Sequence, residues 1–225
     1  MIYVSVFPSW YCPHFCPYCS VPLDWRKDKF SVPWQQWVEA LNKLNGISLD
    51  IGGGEPGLYP GLAQLTKNLK HNFAITTSLK PWDKWEDIAS RCKHITCSYH
   101  SHLWKNAEEF LSKVRLLSQR ADVSVSVVEG YEPVSELRGF RIGINKFDVL
   151  PRKGTNKICN AGKVCIAIDP KGDVYRCWGQ LIAKLPTLGN LFTGFSLLTE
   201  SQNCTIECPN CFVEGQYAVK FYAKN

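Results

Sequence analysis

The chain has 225 residues, 45% hydrophobic and 20% charged, enough for one sizeable domain or a domain with a small appendage. The opening MIYVSVFPSW has neither a basic n-region nor a long apolar h-region, and no apolar run reaches the roughly 18 residues of a membrane span. These features predict no signal peptide, no membrane segment and a cytoplasmic location. The net charge of +6 comes from basic residues scattered along the chain rather than gathered in a stripe. That pattern reads as a solvated surface and gives little support to a nucleic-acid partner.

IYVSVF alternates and is rich in β-branched residues, which predicts a strand running straight into CPHFCPYC at 12–19. VPWQQWVEALNKL has helical spacing of apolar residues, and GISLDIGG reads as a second strand ending in glycines. YPGLAQLTKNLK is helical, HNFAITTS is a third strand, and PWDKWEDIASRC is a helix with proline at its start. HITCSYH is a fourth strand, NAEEFLSKVRLLSQ the clearest amphipathic helix, and DVSVSVVE a fifth strand. A short PVSELRG segment and KFDVLP then predict a sixth.

Alternating strands and helices imply right-handed crossovers and a parallel sheet. Six units in about 150 residues are too few for a closed eight-fold barrel. The expected fold is α/β, an open partial (β/α)6 TIM-like barrel, with chemistry at the carboxyl ends of its strands. There the first strand delivers the cysteine loop and the second delivers GGGEP. After Pro151 the chain becomes short-range and cysteine-rich, with VCIAIDPKGDVYRCW reading as a hairpin turned at DPKGD. The expected division is a core of residues 1–151 and a small cysteine-rich module of residues 152–225.

Of eleven cysteines, six form two triplets of C-x3-C-x2-C spacing, Cys12/Cys16/Cys19 and Cys204/Cys208/Cys211. Disulfide frameworks suit small secreted chains, whereas clustered intracellular cysteines point to metal. A structural zinc site closes with four ligands. Three cysteines in one loop would leave one corner of a four-iron cluster open to substrate or cofactor. The triplet alone also admits a zinc site completed from elsewhere, or reduced structural thiols.

C-x3-C-x2-C after a first strand, Tyr18 just before the last cysteine, and Gly53-Gly54-Glu55-Pro56 after a second strand resemble the radical S-adenosylmethionine (SAM) superfamily, over residues 1–150. The resemblance implies that Cys12, Cys16 and Cys19 hold a 4Fe–4S cluster whose open iron is chelated by SAM. It places Gly53, Gly54, Glu55 and Pro56 at the methionyl amine and backbone near Tyr18 at the adenine. Polar groups at the ends of strands three to five, including Thr77, Ser78, Ser98, His100 and Glu129, would surround the rest of SAM. The family often carries Asn-Gly after strand three, where this chain has TTSLK. His100 and His102 in SYHSH read as pocket lining rather than metal ligands.

Cys159, Gly172 and Cys177 form C-x12-G-x4-C, which resembles the auxiliary-cluster extension called SPASM or its shortened form, Twitch. Six cysteines follow the core where the full form has seven, so one Twitch-type 4Fe–4S cluster is implied, two clusters in all. The implied ligands are Cys159, Cys177, Cys208 and Cys211, with Cys204 as the substitute. Cys165, Cys92 and Cys97 read as small buried hydrophobes.

The function implied is a radical SAM enzyme that takes hydrogen from an unactivated C–H bond of a peptide or small molecule. Its partners would include an external electron donor such as flavodoxin or ferredoxin. Two alternatives remain open at this point: rearrangement of an amino-acid-decorated nucleobase in DNA, and an activase for a glycyl-radical enzyme. The activase is disfavoured because the extra cysteines are C-terminal.

Overall fold

The computed structural model of the chain describes residues 1–128, 137, 142–145, 152–153, 158–204 and 206–207. The elements follow in chain order: β1 Ile2–Val6, α1 Leu23–Lys27, α2 Trp34–Leu41, β2 Ile47–Ile51, α3 Leu62–Asn68, β3 Phe73–Thr77, α4 Trp85–Ala89, β4 His94–Ser98, α5 Ala107–Ser118, β5 Asp122–Val128 and β6 Ile142–Asn145. The C-terminal part adds β7 Arg152–Lys153, β8 Ile158–Cys159, β9 Cys165–Ile168, β10 Asp173–Tyr175, α6 Trp178–Ile182, β11 Gly189–Asn190, β12 Gly194–Phe195, β13 Gln202–Asn203 and β14 Ile206–Glu207.

Strands β1 to β6 stand side by side in sequence order and pair in parallel. The end strands of the sheet do not pair with each other among the described residues, so it is an open arc, the partial barrel the sequence predicts. The sixth strand is Ile142–Asn145, just ahead of KFDVLP. Residues 146–151 and most of PVSELRG lie outside the described residues.

The strand alternation decides which face is covered. Val4, Val6, Leu49, Ile51, Phe73, Ile75, Ile95, Val123 and Val125 are buried in one core with Trp37, Leu41, Leu62, Leu65, Trp85, Phe110 and Val114 of the helices. The residues between them in the strands are polar or small: Ser5, Asp50, Ala74, Thr76, Thr96, Ser124. They share the opposite face, since successive side chains in a strand point to opposite sides. Fully wrapped parallel sheets read as continuous apolar runs. The period of two seen here leaves one face for something other than helices.

Helix α5 shows the local logic. Ala107, Phe110, Leu111, Val114 and Leu117 recur at helical spacing and are buried, and the Asn106 side chain caps the first turn by accepting from Glu109 N–H at 2.9 Å. No helix among the described residues is long and apolar enough to cross a membrane.

The sheet continues past residue 152. β9 pairs in parallel with the free edge of β1, and β10, β11 and β12 extend it antiparallel. The predicted hairpin is β9–β10, with Val174 opposite Ile168. Its Asp169 carboxylate accepts from the N–H groups of Lys171 and Asp173 in the turn. Ile166, Ile168 and Val174 join the same apolar core as β1 to β5.

Candidate functional site

The cysteine loop leaves β1 at its carboxyl end and is braced before any metal is considered. Cys12 N–H donates to the Arg26 carbonyl at 3.0 Å, and Cys19 N–H donates to the Cys16 carbonyl at 3.2 Å. The buried Arg26 guanidinium in α1 donates to the His14 carbonyl at 2.9 Å. Nothing in the sequence marks this arginine, because a buried Arg is visible only once α1 folds back under the loop.

GGGEP is laced to the same loop. Gly54 N–H donates to the Ser9 carbonyl at 3.1 Å and Glu55 N–H to the Tyr11 carbonyl at 3.0 Å. A Cβ on Gly53 would sit 2.4 Å from the Ser9 oxygen, and one on Gly54 would sit 2.2 Å from the Trp10 oxygen. Gly53 also has φ +123°. The glycines are needed because two backbones pass in contact, which joins the two sequence motifs physically.

Glu55 is 3% exposed, and its carboxylate accepts four hydrogen bonds: from Gly57 N–H (2.9 Å) and Thr77 Oγ1 (2.6 Å) on Oε1, and from Ser78 N–H (2.8 Å) and Ser78 Oγ (2.6 Å) on Oε2. That fills a carboxylate's ordinary acceptor capacity of about four. Burial pushes its pKa up, against the pull of these four donors. Glu55 thus pins the end of β2 to the end of β3. Next to it Leu79, fully buried, takes φ +64°, a left-handed conformation that Asn or Gly adopts more easily than Leu. Its N–H is held by Thr77 Oγ1 at 2.8 Å.

The rim is completed by histidines. Ser78 Oγ lies 3.3 Å from His14 Nε2, so the Glu55 cluster reaches the cysteine loop itself. Burial lowers the His14 pKa. Tyr18 Oη and His100 Nδ1 are 2.7 Å apart, and Cys16 Sγ and His102 Nε2 are 3.7 Å apart. The sequence-predicted Tyr18, Gly53, Gly54, Glu55, Pro56, Ser78 and His100 are therefore gathered around one loop. Ser98 ends β4 on the polar face, opposite Ser126. Glu129 lies outside the described residues. The contacts of His14, His102 and Arg26 are additions that spacing could not supply.

No disulfide joins the three loop cysteines to one another, and burial pushes the Cys12 thiol up to about 11. Among the described residues no group of three or more His, Cys, Asp or Glu is arranged to hold a single metal ion. A four-iron cluster takes one thiolate at each of separate irons, so three cysteines on one loop fit it as a donor set.

In the C-terminal part, Cys159 and Cys177 pack around buried Ala161 and Cys165. Burial pushes the Cys177 thiol up to about 11, and Cys159 and Cys204 are close enough to add to that rise. Cys204 is brought near because β13 pairs with β8, placing Gln202 opposite Cys159. Cys165 is 4% exposed on β9. Cys208 and Cys211 lie outside the described residues. An aromatic cluster bridges the two cysteine regions: Phe7 and Trp10, ahead of the loop, stand 4.8 and 5.9 Å from Trp178, the residue after Cys177.

No protein-family profile matches the chain. A PqqA peptide cyclase from Ruegeria pomeroyi is 35% identical over 71 residues, 30% of this chain and 19% of that protein. Streptococcus suis SuiB bound to its precursor peptide SuiA superposes with TM-score 0.70 at 17% identity, over 86% of this chain and 63% of SuiB. The protein anSMEcpe, solved with AdoMet and the Cp18Cys peptide, gives TM-score 0.57 at 16% identity, over 86% of this chain and 78% of that one. The chain thus spans about a fifth of the curated relative and under two thirds of SuiB, and it shares the fold of SuiB and anSMEcpe across most of its own length.

Proposed function

We infer that this chain, which has the radical SAM core fold, reductively cleaves S-adenosylmethionine and uses the resulting radical to modify a peptide or another small substrate. The observation that carries this is the direct lacing of GGGEP to the cysteine loop through Gly54 and Glu55. Two motifs that are 33 positions apart at their nearest ends are built into one wall.

In this reading Cys12, Cys16 and Cys19 hold one 4Fe–4S cluster, which with SAM supplies a 5′-deoxyadenosyl radical when both are bound. Gly53 and Gly54 keep the second-strand backbone against the loop. Glu55 holds the β2 and β3 ends in register, so that Pro56 and Ser78 form a fixed edge for SAM. Tyr18 and His100, bonded to each other, close the opposite side, and Ser98 faces the open sheet below. The segment 152–225 acts as an auxiliary module, with Cys159, Cys177, Cys208 and Cys211 as ligands of a second cluster and Cys204 in reserve. A peptide substrate is supported by the relatives, which include a peptide cyclase and two proteins solved with peptides. A flavodoxin or ferredoxin would deliver the electron, in the cytoplasm.

Anaerobic reconstitution with iron, sulfide, SAM and dithionite tests the reading. Formation of 5′-deoxyadenosine and methionine is expected. A fully reconstituted, folded protein that leaves SAM intact would overturn it.

A further inference from the structure

The open face of the sheet carries a carboxylate that the proposed chemistry does not use. Asp50 is the penultimate residue of β2, between buried Leu49 and Ile51, so its side chain points away from the helices. It stands in one register row with Ser5, Ala74, His94 and Asp122. Among the described residues it has no hydrogen-bond donor or cation. Burial alone accounts for the rise of its pKa to about 6. The Cys92 thiol is close enough to feel Asp50, which adds to the rise that burial gives the thiol's pKa, and His94 of the same row is two strands away, roughly 10 Å at ordinary strand spacing. It is already engaged, with Nδ1 2.8 Å from Asp122 Oδ2 and Nε2 2.9 Å from Ser124 Oγ.

The cross-strand neighbours of Asp50 are small. Ala74 contributes only a methyl group, and Ser5 sits opposite on β1. Asp50 is three residues before Gly53, roughly 10 Å along the strand from the mouth. A half-buried charge without an internal partner is costly unless a ligand supplies one. Glu55, whose carboxylate is filled by its own chain, does not offer such a vacancy.

We propose that Asp50 is the recognition point for a primary ammonium group lying on the open face of the sheet, with the Ser5 hydroxyl as a second acceptor. The proposal rests on reading this mouth as a radical SAM site, and the ammonium belongs either to a lysine side chain or amino terminus of a substrate or to the methionyl end of SAM.

The test uses the full chain, reconstituted anaerobically. Wild type and Asp50→Asn are titrated by NMR with Nα-acetyl-lysine methylamide, with its norleucine counterpart, and separately with SAM. A wild-type preference for lysine over norleucine that falls tenfold or more in Asp50→Asn, with SAM affinity kept, supports a substrate amine. A tenfold or greater loss of SAM affinity without any lysine preference supports the methionyl amine. Equal binding of both amides with unchanged SAM affinity overturns the proposal, as does a lysine preference that survives Asp50→Asn. The wild-type comparison of the two amides stands even where the variant folds poorly. Formation of 5′-deoxyadenosine is scored independently: its absence beside an intact lysine preference removes the radical reading and leaves the ammonium site.

Discussion

The two cysteine regions are assembled in opposite ways. Cys12, Cys16 and Cys19 sit on eight consecutive residues, and the backbone around them is fixed by Arg26, by GGGEP and by the Ser78–His14 contact. Cys159, Cys177 and Cys204 come from β8, from the start of α6 and from just after β13, and depend on strand pairing to meet. A contiguous ligand set with a braced backbone is ordered before metal arrives. A dispersed set depends more on the metal for its own order, because ligation then supplies folding energy. The first region is built as a site, and the second as a segment that a metal would finish.

The largest effect expected from breaking this contrast is loss of all turnover. Cys12→Ala/Cys16→Ala/Cys19→Ala should abolish 5′-deoxyadenosine formation and lower iron and sulfide from about eight per chain to about four, as two four-iron clusters become one. Four irons in the reconstituted wild type would mean that only one cluster exists. Next comes the reverse experiment. Cys208→Ala/Cys211→Ala, and separately Cys177→Ala, should spare SAM cleavage while reducing conversion of the true substrate, followed by mass spectrometry. Cys165→Ala should change neither, since that side chain is buried on β9 as a small hydrophobe. Loss of SAM cleavage in a folded Cys177→Ala protein would show that the aromatic bridge through Trp178 couples the regions.

A third change removes the frame of the first region without touching a cysteine. Glu55→Ala leaves buried donors on Gly57, Thr77 and Ser78 without their acceptor, at a cost of about 2–5 kcal/mol. At roughly 2–4 °C per kcal/mol for a domain of this size, thermal unfolding should fall by several degrees to more than ten. Glu55→Gln keeps the shape and one acceptor oxygen, and should fall in between. An unchanged melting temperature in Glu55→Ala would show that the carboxylate is not the clasp between β2 and β3.

Much of this was legible in the sequence where the signal is local. The alternation in IYVSVF, ISLDI, HITCS and DVSVSVV gives both the strands and the uncovered face, and the cysteine and glycine motifs mark the mouth. What was not legible depends on long-range neighbours. A glutamate beside a proline does not reveal that it will be saturated by Thr77 and Ser78, because that requires β3 to dock next to β2. The short helices α1 and α6, of five residues each, carry too little periodicity to detect. The sixth strand, IGIN, is four residues long with a glycine inside, so it is masked by the longer run KFDVLP beside it, with its Phe, Val and Leu. The pairing of β9 with β1 joins residues more than 160 positions apart, and no spacing rule announces it.

The smallest expected effect compares two acids beside the first cysteine region. Glu55 has its donors within the chain; Asp50 has none among the described residues. Burial raises the Asp50 pKa from 3.8 to about 6, so the folded protein holds this proton more tightly than the unfolded chain does. The sign follows from that difference: the group favours the folded state below pH of about 4, and this contribution is lost as pH rises through about 6. Asp50→Asn carries no such proton, so the difference in unfolding free energy between wild type and variant should move in the variant's favour between those limits and level off above them. Denaturant unfolding of both proteins at a series of pH values from about 4 to 8 measures it. A difference that stays flat across that range would mean that Asp50 is compensated within the folded chain after all, and its claim to receive an ammonium group would lose its physical motive.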